Sequence, residues 1–130
     1  MTAERDLQEA YREWRRLAEA EGEAIRTGNW SLCAACQKAL EHLRERITAL
    51  MPAVRAEWSR PGCDPVAKQQ SLDATLRELI QLQQRNKTLL QAVREATRAK
   101  LNQLGEARLK LKQLRRAYSM TARGVWSSFS

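Results

Sequence analysis

The sequence predicts an all-α protein: a three-helix antiparallel bundle or coiled coil with a long, overhanging C-terminal helix. Three observations point to it. Glu, Gln, Arg, Lys, Leu and Ala dominate the composition, as they do in long helices, while Phe, Trp and Tyr supply seven of 130 residues. Apolar residues recur at spacings of three and four, and no segment alternates with the period of two that a half-buried strand requires. From Asp64 to Tyr118 the chain has almost no helix breaker.

The first helix is predicted over residues 3–27, with Leu7, Ala10, Tyr11, Trp14, Leu17, Ala18, Ala24 and Ile25 on its apolar face and Glu21 interrupting it. Thr27-Gly28-Asn29 places a helix-ending glycine directly before an N-cap residue, which signals a tight helix–helix joint. The second helix is predicted over 30–58, with Ala35, Cys36, Ala39, Leu40, Leu43, Ile47, Leu50 and Val54 on one side. Pro52 falls inside it, so a kink or a new short helix is expected there. Ser59 to Asp64 is the one clear loop.

The third helix is predicted over 65–118. Asp64 is a good N-cap, and Pro65 sits at the first helical position, where its missing N–H costs nothing. Leu72, Leu76, Leu79, Leu90, Val93, Leu104, Leu111 and Leu114 share one stripe. About 54 residues at about 1.5 Å each make a rod near ~80 Å, too long for the internal strut of a compact domain. Polar residues also occupy the seam, Gln83 and Asn86 and then Thr97 and Lys100, where they would control register. Residues 1–118 are thus expected to form one helical bundle. Residues 119–130, with four serines, Gly124, Trp126 and Phe129, are expected to be a flexible tail.

The net charge of +8 is unevenly spread. Residues 1–84 hold 12 Lys/Arg against 13 Asp/Glu, a balance of −1, and residues 85–130 hold 11 against 2, a balance of +9. Such a segment suits an acidic protein surface, a nucleic acid or an anionic membrane face. The basic run Arg108, Lys110, Lys112, Arg115 and Arg116 is interleaved with Leu109, Leu111 and Leu114, so it flanks an apolar seam. No known nucleic-acid motif frames it, which makes a nucleic-acid groove the weaker reading. No run of apolar residues is long enough to span a bilayer, and the N-terminus lacks the apolar core of a signal peptide. A cytoplasmic protein without membrane insertion is expected.

Chemistry has little to work with. Cys33-Ala-Ala-Cys36 puts two thiols on one helix face, and His42 and Cys63 could complete a metal site. A redox pair of this kind needs a βαβ context, however, and a zinc site normally brings a second paired motif. Packing is the expected role of these cysteines, with no metal and no cofactor. The carboxylates of helix 1, among them Glu4, Glu9, Glu13 and Glu23, lie among arginines as in a solvated, ion-paired face. With one histidine, no phosphate-cradling glycine loop and no nucleophile motif, no enzyme is expected.

Three stretches carry a family resemblance. Glu23-Ala24-Ile25-Arg26-Thr27-Gly28-Asn29, then Gln37-Lys38-Ala39-Leu40 with Leu43, then Leu79 through Leu90 with Asn86 ahead of a double leucine resemble the FlgN-like flagellar export chaperones. The FliT-like group is a close second, and the likeness covers residues 5 to 120. The resemblance implies a small, cytoplasmic, all-helical chaperone. Such a protein escorts hook-associated subunits to the type III export apparatus by covering an aggregation-prone client helix. On this reading the partner-binding residues are Leu101, Leu104, Leu111, Leu114 and Tyr118, with Trp126 and Phe129 of the tail, in a monomer or homodimer. The alternative is a basic coiled-coil protein that binds nucleic acid or scaffolds a complex.

Overall fold

The structure, a computed structural model, describes the backbone of residues 3–129 and the side chains of residues 3–121. It contains α1 (Ala3–Thr27), α2 (Trp30–Trp58) and α3 (Pro65–Phe129), with no strand among the described residues. The chain divides into two units, Met1–Gln91 and Ala92–Ser130. The expected single bundle over 1–118 therefore becomes a bundle ending at Gln91 and a separate helical unit beyond it.

The helix ends follow local chemistry. Gly28 takes a φ of 70°, and the amide of Asn29 then folds back to the carbonyl of Ala24 at 2.8 Å. Asn29 caps α2 by accepting from the amide of Leu32. Asp64 Oδ1 accepts from the amides of Val66 and Ala67 at the start of α3. Pro52 starts no new helix, contrary to one expectation: α2 continues through it. Its ring faces solvent, so the carbonyl of Thr48 that it leaves without an intrahelical donor can be hydrated.

The third helix, expected to end at 118, runs on to Phe129, so residues 119–129 are helical. An apolar stripe decides where a helix is buried; propagation needs only the absence of breakers, and none lies between Tyr118 and Gly124. Thr121 turns its hydroxyl onto the carbonyl of Ala117 at 2.9 Å, a bond made within the helix.

In the first unit, all three helices supply one core. Leu7, Trp14 and Leu17 of α1 meet Leu40, Leu43 and Val54 of α2 and Leu72 and Leu79 of α3. Glu57, near the end of α2, accepts from the amides of Ala3 at 2.9 Å and Glu4 at 3.1 Å, so α1 and α2 run antiparallel. The same carboxylate caps the positive end of the α1 dipole. The contacts Lys68–Glu4, Arg15–Glu78 and Asn86–Glu21 join residues 63 to 65 apart, so α1 and α3 run parallel at a nearly constant offset. An offset of 64 carries Thr27, the last residue of α1, to position 91, where the first unit ends.

One close approach fixes that offset. Asn86 is buried, and its amide nitrogen donates to the carbonyl of Ala18 at 2.6 Å and to the carboxylate of Glu21 at 3.0 Å. It fits because position 22 has no side chain: a Cβ on Gly22 would lie 2.7 Å from Asn86 Oδ1. Gly105 meets nothing within 4 Å.

Two outcomes follow. Gly22→Ala should lower the melting temperature despite its better helix propensity, costing about 1–3 kcal/mol. Adding Asn86→Ala should recover part of that loss in a double-mutant cycle, whereas Gly105→Ala should raise helix content on heating, with about 0.5–1 kcal/mol of favourable propensity.

The second concerns pH. The two amide bonds from α1 hold the Glu57 carboxyl below the usual carboxylate value of 4.5. Its contribution is complete above that value and is lost as pH falls through the lower folded value. Glu57→Gln should therefore be less stable at neutral pH and decline less steeply below pH 4.5, as followed by urea melts across the acid range.

Candidate helix-docking site

The two halves of α3 repeat one pattern with opposite burial. In heptad terms Leu76, Gln83, Leu90, Thr97, Leu104, Leu111 and Tyr118 hold the a positions. Leu72, Leu79, Asn86, Val93, Lys100, Ala107, Leu114 and Thr121 hold the d positions. Within the first unit the d residues are buried and the a residues half-buried. Within the second unit Val93 is half-buried, and every other residue from Ala92 to Thr121 is exposed.

The sequence-predicted leucines lie in this second unit. Leu101, Leu104, Leu111, Leu114 and Tyr118 are between 50% and 80% exposed. Leu104, Leu111 and Tyr118 recur every seven residues, Ala107 and Leu114 each follow three later, and Leu101 lies alongside. The helix brings them onto one stripe. Leu109 and Met120, also exposed, fall on the opposite side. Trp126 and Phe129, the remaining predicted contacts, lie outside the residues whose side chains are described.

Charge borders the stripe asymmetrically. Arg94, Arg108 and Arg115 occupy e positions on one edge and Lys110 a g position on the other, while Lys112 and Arg116 turn further out. Glu95 and Glu106, the two carboxylates in residues 85–130, fall at f and c, away from the stripe. Arg94 and Lys110 acquire their edge roles only from the heptad register. Gly22, which sets the register in the first unit, has no local sequence feature that marks it apart from another glycine within a helix.

The first unit offers a different kind of surface. A cleft of about 380 Å³ between its helices is lined by Glu21, Glu41, Arg44 and Lys87, by Gln37, Gln83 and Asn86, and by the apolar Ile25, Leu40 and Leu90. Its lining mixes three apolar side chains with four charges and three amides, unlike the continuous leucine stripe of the second unit. The α1 carboxylates are largely engaged: Glu4 with Lys68, Glu9 with Arg5, Glu13 with Arg16 and Glu23 with Arg26. The hydrogen bond from Arg16 holds the Glu13 carboxyl below its usual range.

Cys33 and Cys36 are buried, and the side-chain amide of Gln37 donates to Cys33 Sγ at 3.8 Å. Burial pushes the Cys36 thiol up, and the nearby Glu21 carboxylate pushes it further. That is the reverse of the activated thiolate of a redox pair or metal ligand. His42 is exposed beside Glu45, Cys63 is exposed in the loop, and no group of three or more His, Cys, Asp or Glu among the described residues could hold a metal. No helix is long and apolar enough to cross a membrane among the described residues.

Comparison with known proteins finds no matching family model, no matching curated protein and no matching solved structure.

The thiols provide a direct check. A thiol reagent added to the native protein should modify Cys63 quickly and Cys33 and Cys36 only on unfolding. Rapid modification of all three would mean that the α2 pair is not packed as described.

Proposed function

We propose that this chain is a helix-binding chaperone of the secretion type, a binding protein rather than an enzyme. Its second unit offers the α3 stripe to an amphipathic helix of a client. One observation carries this reading: Leu101, Leu104, Leu111, Leu114 and Tyr118 are all at least half exposed on a single helical stripe. Contiguous apolar surface of this kind is a feature of interaction sites, and a helix laid along it buries its own apolar face in return.

The more specific reading is a cytoplasmic escort for flagellar, hook-associated subunits on their way to the type III export apparatus. It rests on the resemblance in residues 23–29, 37–43 and 79–90. The folded first unit is then the body that holds the working helix, and the cationic edges speed encounter with an acidic client.

Co-purification from the native cell should recover hook-associated or filament-cap subunits. Recovery of nucleic acid alone, lost steeply with added salt, would favour the basic coiled-coil alternative. Replacing Leu104, Leu111 and Leu114 by Gln should weaken binding of the recovered client at least thirtyfold, about 2 kcal/mol or more. Because all three are exposed, the bundle should melt within about 0.5 kcal/mol of the parent. Unchanged client affinity in that variant would rule out the stripe as the docking site.

A further inference from the structure

Lys100 is out of place on an apolar docking stripe. It holds a d position, with Thr97 at the preceding a, exactly two heptads after Asn86 and Gln83. In the first unit the corresponding d residue, Asn86, is buried and donates to the carboxylate of Glu21. Glu21 is itself buried, on the apolar face of α1 between Ala18 and Ile25. The molecule thus already contains one worked case of this arrangement: a polar donor on the α3 seam facing a carboxylate on the apolar face of the helix beside it.

We propose that the second unit recognises an acidic amphipathic helix that carries one carboxylate on its own apolar stripe, and that Lys100 pairs with that carboxylate to set the register of docking. This inference rests on the helix-docking reading above and adds the chemistry of the partner. A helix laid over Leu101, Leu104 and Leu111 covers Lys100 as well. An ammonium covered by leucine loses its water without compensation, whereas one met by a carboxylate keeps a charged hydrogen bond. A client shifted by one heptad would present an apolar residue to Lys100, so the pair rejects slipped alignments as well as favouring the right one.

The edges point to the same partner. Arg94, Arg108 and Arg115 border one edge of the stripe and Lys110 the other, so acidic residues flanking the partner's apolar face would meet three cations on one side and one on the other. A second copy of this chain fits poorly. Pairing the segment with itself opposes Lys110 to Arg115 in the parallel orientation and Arg to Arg in the antiparallel one.

The test uses the full chain and three synthetic helical peptides about four heptads long. The first carries Leu at a and d, Glu at e and g, and a single Glu at one central d position. The second has Leu in place of that central Glu, and the third has Lys at e and g. The parent protein should bind the first peptide at least tenfold more tightly than the second and leave the third unbound. Lys100→Leu, a change at an exposed position, should reverse the preference between the first two while leaving thermal melting of the bundle unchanged. An equal affinity of the parent for the first two peptides, or a preference unaffected by Lys100→Leu, would overturn the role of Lys100 while leaving helix docking intact. Equal binding of the third peptide would overturn the acidic partner. Failure of all three beside tight binding of an oligonucleotide would overturn both the inference and the docking reading.

Discussion

The arrangement of the first unit depends on Asn86 reaching the backbone of α1 across Gly22. Its side-chain amide meets the carbonyl of Ala18 and the carboxylate of Glu21, two acceptors available together only at this point of α1. If α3 slipped by one heptad, Leu79 or Val93 would replace Asn86 there, and the Glu21 carboxylate would be buried against hydrocarbon. Leucines at a and d would tolerate such a slip, because each layer resembles the next. The asparagine and the glycine together remove that freedom, and the contacts Lys68–Glu4 and Arg15–Glu78 fall into line with them.

Once that alignment is set, so is the extent of the bundle. α1 has no residue beyond Thr27 to place alongside α3 past position 91, and α2 turns back from Trp30 at the same end. The heptad pattern of α3 nevertheless continues for four more repeats. Charge follows the same division. In the first unit most α1 carboxylates have cationic partners, while Lys and Arg of the second unit face two carboxylates on the far side of the helix. The first unit pairs most of its α1 carboxylates within itself; the second leaves its apolar and cationic groups exposed.

Local signals were legible in the sequence because their causes are local. Gly28 before Asn29 and Asp64 before Pro65 mark helix boundaries through bonds that span a few residues. The stripe of Leu104, Leu111 and Leu114 was legible for the same reason, since periodicity needs only the segment itself. Gly22 was not: its meaning lies in a side chain 64 positions away, and in isolation it reads as a weak point in a helix. Glu57 was equally opaque, because a carboxylate that caps another helix differs in no local respect from one in solvent. The segment after Tyr118 misled for the opposite reason: lack of an apolar stripe says that a helix has nothing to bury against, which differs from saying that no helix forms.

Confining every helix–helix contact of the core to residues before position 92 also orders events during synthesis. At about 5–20 residues per second, the ribosome needs seconds to make the following stretch, whereas small helical bundles fold in microseconds to milliseconds. The core residues can thus find one another before the leucines that would compete for the same partners have emerged. By the time Leu104 and Leu111 leave the ribosome, the places they might have occupied on α1 and α2 are already filled.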